Sequence, residues 1–133
     1  MKILNSLNPQ HILQLYKLYQ KEWWTEKRTL EETQKVVKNS QIVIALLDEN
    51  DELQAFVRVL TDYVFKALIF DVIVSEKQRG KGLGKELMRL VQNHSKLQEV
   101  NHFELYCLPE MVEFYEEFDF STELNNLVFM RKC

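Results

Sequence analysis

ALIFDVIVSEKQRGKGLGKELMRLV, residues 67–91, passes from an apolar strand through a glycine loop into an amphipathic helix. Between Ala67 and Val74 every residue is apolar except Asp71, a pattern that suits the middle of a sheet covered on both faces. The 3 glycines of the whole chain all fall in this stretch, at Gly80, Gly82 and Gly84. Leu83, Leu87, Leu90, Val91 and His94 then share one side of a helix. Where a strand feeds a helix in this way, several backbone N–H groups lack a helical partner and point outward together. The positive end of the helix dipole adds its attraction for an anion. Glycines remove Cβ atoms, so the anion can reach the main chain. The segment Gln78 to Gly84 therefore reads as an anion cradle.

Outward from the loop, the rest of the chain reads as alternating elements. Lys2 to Leu4 is a short strand. Asn8 and Pro9 start a helix in which Ile12, Leu15, Tyr16 and Tyr19 recur at helical spacing. Thr29-Leu30-Glu31-Glu32 is a capping-box pattern opening a second helix through Val36 and Val37. Ile42 to Leu47 and Leu53 to Leu60 flank the turn-rich Asp48-Glu49-Asn50-Asp51 and predict a hairpin. After the glycine loop and its helix, Phe103, Leu105 and Cys107 alternate with Glu104 and Tyr106 as a further strand. Pro109 opens a short helix striped by Met111, Phe114, Tyr115 and Phe118. Leu127 to Met130 predicts a closing strand. The order is that of an α/β fold with a mixed sheet, in one domain over residues 1–133.

Composition narrows the function. A chain of 133 residues with 46% apolar residues is long enough to bury a core without disulfides or metals. A formal charge of -3 leaves no concentrated basic face for nucleic acid. Cys107 and Cys133 form no framework or CxxC pair, and His11, His94 and His102 show no ligand spacing, so no metal is expected. No apolar run approaches the roughly 20 residues of a membrane span, and the first ten residues lack the pattern of a secretory signal, so cytoplasmic residence is the expectation.

Two nucleotide motifs fail at the loop. A Walker A loop needs G-x-x-x-x-G-K-[ST], but Gly84-Lys85 is followed by Glu86 and Arg79 stands five residues before Gly84. The dinucleotide pattern G-x-G-x-x-G fails because Lys85 occupies its third glycine. Arg79-Gly80-Lys81-Gly82-Leu83-Gly84 does satisfy the pyrophosphate-loop pattern Gln/Arg-x-x-Gly-x-Gly/Ala of the GNAT acetyltransferase superfamily. Asp71-Val72-Ile73-Val74 resembles that family's central strand, and Phe114 to Phe120 resembles its Tyr-x-x-x-Gly-Phe ending. Asp119 stands at the glycine of that ending, and Asp tolerates the required backbone angle better than most residues. The chain is thus similar to GNAT N-acetyltransferases over nearly its whole length.

The resemblance implies a mixed, mostly antiparallel central sheet with flanking helices, acetyl-CoA as acyl donor, and an amine acceptor that is a small molecule or a peptide. A membrane partner is not expected, and a homodimer is compatible with the sequence. It implies that Val72, Ile73 and Val74 pair with the pantetheine arm, with a main-chain N–H of Ile73 or Val74 polarising the thioester. Arg79, Gly80, Lys81, Gly82, Leu83, Gly84 and Lys85 would hold the pyrophosphate. Tyr115 would protonate the departing thiolate, since a phenol of pKa about 10 stays protonated at neutral pH. Asp71 has functional readings, taking the acceptor amine's proton through water or holding a positively charged substrate, and structural ones, pairing with Arg58 or capping a neighbouring loop. Glu104 and Glu22 are weaker candidates for base. Trp23, Trp24 and Arg28 lie in the segment that covers the acceptor pocket in relatives, and Tyr63 is a further acceptor-side candidate. A non-catalytic domain that binds or senses acyl-CoA is the alternative function.

Overall fold

Helix α1 (Pro9–Gln20) starts where the sequence places it. The Asn8 side chain accepts the His11 N–H at 2.9 Å, and His11 Nδ1 accepts the Asn8 N–H at 3.2 Å. Helix α2 (Leu30–Lys38) starts on the predicted capping box. Thr29 Oγ1 accepts the Glu32 N–H at 3.1 Å, and Glu32 Oε1 accepts the Thr29 N–H at 2.9 Å. These reciprocal bonds satisfy N–H groups that the first helical turn would leave unpaired. The computed structural model describes all residues, 1–133.

The strands β1 (Lys2–Leu4), β2 (Ile42–Leu47), β3 (Leu53–Thr61), β4 (Lys66–Val74) and β5 (His102–Glu104) form one sheet in sequence order. The first four are mutually antiparallel and β5 is parallel to β4. Helix α3 (Leu83–Gln92) is the crossover between β4 and β5, and α4 (Val112–Glu116) follows. Strand alternation divides the core between two faces. Ile42, Ile44, Val57, Val59 and Ile69 meet Leu87, Met88 and Val91 of α3 and Tyr115 of α4. Val43, Ala45, Phe56 and Ile73 meet Leu15, Leu18 and Tyr19 of α1 on the other face. The result is a mixed, mostly antiparallel sheet between helical layers. No helix is long and apolar enough to cross a membrane.

A bulge in β4 is the main surprise. Phe56 pairs with Ile73 and Arg58 with Phe70, so Asp71 and Val72 together oppose Val57. Asp71 takes φ 57. Such a bulge reverses the alternation. Ala67 and Ile69 face α3, whereas Ile73 faces α1. The apolar run of β4 gave no sign of this extra residue.

Three further boundaries differ from expectation. Strand β5 ends at Glu104 and not near Cys107, because its ladder with β4 stops at Leu68 opposite Glu104. The helix after Pro109 opens as a 3-10 turn, Pro109–Met111, before α4. The predicted strand at Leu127 to Met130 has no ladder, and its side chains are exposed. A tight turn does precede it. Asn125 and Asn126 take φ 52 and 70, and the Leu127 N–H donates to the Leu124 carbonyl at 3.0 Å. Apolar composition supplies β-propensity, but a strand requires a neighbour to pair with. Here Phe129 lies against the Tyr106 ring, at 5.0 Å between centroids, and Arg131 lies 5.4 Å over the Tyr106 ring and 5.7 Å over that of Phe129.

Candidate active site

Strands β4 and β5 are hydrogen-bonded only from Lys66 to Leu68. Beyond that point the remainder of β4 has no partner on its β5 side, and a cleft opens toward the glycine loop. The Ser75 N–H donates to the Gln54 carbonyl on the β3 side at 2.8 Å. In an antiparallel ladder successive residues turn their N–H groups to opposite sides. Ile73 therefore directs its N–H to β3, while Val72 and Val74 direct theirs into the cleft. Of the two residues expected to polarise a carbonyl, Val74 is the one correctly oriented.

The glycine loop is open and backbone-rich. Gly80 and Gly82 take φ 79 and 84, and Gly82 caps α3 in the left-handed conformation. A Cβ at either position would meet nothing within 4 Å, so the space before both is open. The backbone N–H groups from Gly80 through Lys85 donate to no protein acceptor. Lys81 makes no ion pair, whereas Lys85 Nζ lies 3.1 Å from Glu117 and Arg89 lies 3.7 Å from Glu86. Lys81, Gly82, Leu83, Lys85 and Arg89, together with Met1, Ile3 and Leu46 of the β1–β2 side, line a separate pocket of about 370 Å³ on the far side of the loop from β5. Gly84 has a different task from the other two. A Cβ there would stand 3.3 Å from the Phe114 ring, so its absence lets α4 pack against the start of α3.

Gly82→Ala is expected to weaken coenzyme A binding by about tenfold while the fold survives. A left-handed alanine costs about 1–2 kcal/mol, and the cradle can escape that strain by rotating its N–H groups out of register. Calorimetric titration of the variant checks this, and unaltered affinity would remove the loop from the site.

That packing brings in Tyr115. Its ring is 9% exposed, edge-on to Phe114 at 4.9 Å and to Phe120 at 6.1 Å. Burial, with a smaller contribution from Cys107, pushes its phenol up to about 12. The hydroxyl donates to no protein group. Asp119 takes φ 69 in the turn after α4, and the Phe120 N–H returns to the Tyr115 carbonyl at 3.3 Å. An aspartate thus makes the turn for which the family pattern has glycine.

Asp71 is claimed by its neighbours. Its Oδ2 accepts from Tyr19 at 2.8 Å, Arg28 Nη1 at 2.6 Å and Arg58 Nε at 2.7 Å, and its Oδ1 accepts from Arg28 Nη2 at 3.0 Å. Burial opposes ionisation, but the Arg28 hydrogen bonds and the Arg58 charge outweigh it and hold the carboxyl below its usual range. A carboxylate clamped in this way is a poor proton acceptor. The geometry favours the structural reading of Asp71 over that of general base, and adds Arg28 and Tyr19 to the Arg58 pairing. The other carboxylates are also paired: Glu104 with Lys66 at 3.0 Å, and Glu22 with Arg79.

Trp23, Trp24 and Arg28 do come together. With Thr25, Lys27 and Glu32 they line a pocket of about 260 Å³ on the α1–α2 side. Tyr63 does not join them. It occupies the β3–β4 turn with φ 65, at the opposite end of β4 from the glycine loop. That turn is held by Asp62, whose Oδ1 accepts from the N–H groups of Val64, Phe65 and Lys66. Tyr19 was legible only as one member of an apolar stripe, and its role in the Asp71 cluster had no sequence signal.

The sequence model of the acetyltransferase (GNAT) family matches residues 9–120. The chain belongs to the GNAT acetyltransferase family. The chain is 31% identical over 120 residues to an uncharacterized N-acetyltransferase, ycf52, of Pyropia yezoensis, covering 88% of this chain and 68% of that one. Among solved structures it is similar to a GNAT-family acetyltransferase of Xanthomonas campestris pv. campestris described as putative. The TM-score is 0.83 at 26% identity, covering 100% of this chain and 94% of that one. An aminoglycoside 6'-N-acetyltransferase complexed with coenzyme A shares the fold at TM-score 0.68 and 21% identity, over 79% of this GNAT chain and 61% of that one.

Proposed function

We propose that this GNAT protein moves the acetyl group of acetyl-CoA to an amine by direct attack within a ternary complex. The observation that carries the reading is the conjunction of three features. β4 has no β5 partner beyond Leu68, the loop that follows β4 presents the unpaired N–H groups of residues 80–85, and Gly84 packs the helix bearing Tyr115 against that loop. An acyl thioester with a pyrophosphate at its far end fits such a layout, as the coenzyme A complex of the aminoglycoside enzyme suggests by analogy.

In the reaction the amine nitrogen attacks the thioester carbonyl carbon and a C–N bond forms. The Val74 N–H, in the cleft, stabilises the charge that develops on the carbonyl oxygen. The C–S bond then breaks, the thiolate takes the proton of the Tyr115 hydroxyl, and the phenolate recovers a proton from water. The amine releases its own proton to water, because the carboxylates at hand are engaged in ion pairs. Cys107 takes no covalent part: burial and Glu110 push its thiol up, away from the thiolate form needed for attack. The acceptor enters at the pocket of Trp23, Trp24 and Arg28.

Calorimetric titration with acetyl-CoA, beside thiol release in the presence of small amines, amino acids and lysine peptides, tests the proposal. Binding together with release for one acceptor class supports it. Binding with no release for any acceptor favours an acyl-CoA sensor, and absence of binding ends both readings.

A further inference from the structure

Arg79 is both the first residue of the cradle pattern and a link to another part of the molecule. Its Nε donates to the Val74 carbonyl at the end of β4 at 3.3 Å, and its Nη2 pairs with the Glu22 carboxylate. Glu22 lies in the turn after α1, immediately before Trp23 and Trp24, and its N–H donates to the Tyr19 carbonyl at 3.3 Å. One guanidinium therefore ties the anion cradle to the segment that walls the opposite pocket.

The two ends of this tie are unequal. The Glu22 side chain is only 14% exposed, whereas that of Arg79 is 51% exposed. Arg79 can turn outward at little cost, but a shielded carboxylate that loses its cation must be rehydrated or re-paired. A pyrophosphate on the N–H groups of residues 80–85 would bring two negative phosphoryl groups beside the same guanidinium. Glu22 and that pyrophosphate are then rival anions for one cation.

We infer that the Glu22–Arg79 pair couples the two sites: pyrophosphate binding draws Arg79 away from Glu22 and releases the turn carrying Trp23 and Trp24. This inference rests on the reading of the loop as a coenzyme A site and adds a positioning residue, Glu22, to it. Linkage makes the coupling reciprocal. While Glu22 holds Arg79, it lowers affinity for the pyrophosphate. Binding of the pyrophosphate in turn frees the acceptor-side turn to close on an amine.

The chain's 2 tryptophans both lie in that turn, so their emission reports on it directly. Coenzyme A is expected to change the tryptophan emission of the unaltered protein, and pantetheine, which lacks the pyrophosphate, is expected to leave it unchanged. Glu22→Gln removes the rival charge with nearly the same shape. It should bind coenzyme A about fivefold more tightly, the factor given by about 1 kcal/mol, and lose the emission change. A pair that merely holds Arg79 in position predicts the opposite sign, weaker binding in Glu22→Gln.

Coenzyme A binding by calorimetry without an emission change, an equal change with pantetheine, or unimproved affinity in Glu22→Gln would each overturn the coupling and leave the coenzyme A site standing. No coenzyme A binding at all would remove both. The comparison of coenzyme A with pantetheine needs only the unaltered protein, so the test stands even if the variant fails to fold.

Discussion

Replacement of Asp71 by asparagine is expected to lower the unfolding free energy by about 3 kcal/mol. Removing one partner of a buried ion pair costs about 3–5 kcal/mol, since the remaining charge is left without compensation. The lower end applies because the Arg28 side chain is 28% exposed and can recover water, whereas Arg58 at 12% cannot easily do so. Asparagine suits this test because it accepts the left-handed backbone of the bulge, where Asp71 has φ 57. The loss then reports on charge rather than on strain. Asp71→Ala adds backbone strain and should be worse.

The pH dependence has a fixed sign. The Asp71 carboxyl is held below its ordinary value, so the folded state binds fewer protons than the unfolded state. The contribution of the cluster is complete above the unfolded pKa of about 3.9 and is lost as pH falls through the folded value. Urea unfolding between neutral pH and strong acid should show a gap between the parent and Asp71→Asn that narrows on the acid side. A constant gap across that range, or none at neutral pH, would show that the cluster does not anchor the bulge.

The difference between what the sequence revealed and what it concealed follows from the range of the interactions. Helix starts at Asn8 and Thr29 depend on groups three residues apart, and both were legible. The glycine loop was legible for the same reason: positive φ and an open approach are properties of Gly80 and Gly82 themselves. The bulge was hidden because an apolar run looks the same with one residue added. Asp71 was the single polar mark on it, and its partners lie 43 and 52 residues away at Arg28 and Tyr19. The Leu127 to Met130 strand failed through a missing neighbour, which no local pattern can report. Nothing in the local pattern at Tyr63 shows which end of the site its turn occupies, and the β3–β4 hairpin carries it to the end of β4 away from the glycine loop.

Replacement of Tyr115 by phenylalanine is expected to lower kcat about 100-fold near neutral pH with little change in KM for acetyl-CoA. General acid catalysis by one positioned group contributes roughly 10²–10⁴-fold, and the low end is appropriate for a leaving group that is itself a fair acid. The ring keeps its place in the variant. Phe114 and Phe120 pack edge-on to it, and the hydroxyl that disappears donates to no protein group. Stability should therefore hardly move, so a fall in turnover cannot be attributed to unfolding. The pH profile separates an acid from a packing residue. The phenol of the parent, pushed up to about 12, stays protonated throughout the neutral and mildly alkaline range, so the parent loses no acid there. A thiol ionises near about 8.5, so thiolate departs without a proton more readily as pH passes that value. The deficit of Tyr115→Phe should accordingly be largest at the lowest pH assayed and shrink above pH of about 8.5. Full turnover by the variant at every pH would leave Tyr115 with packing alone. A deficit that is independent of pH would assign the hydroxyl to orienting the thioester instead of protonating the leaving group.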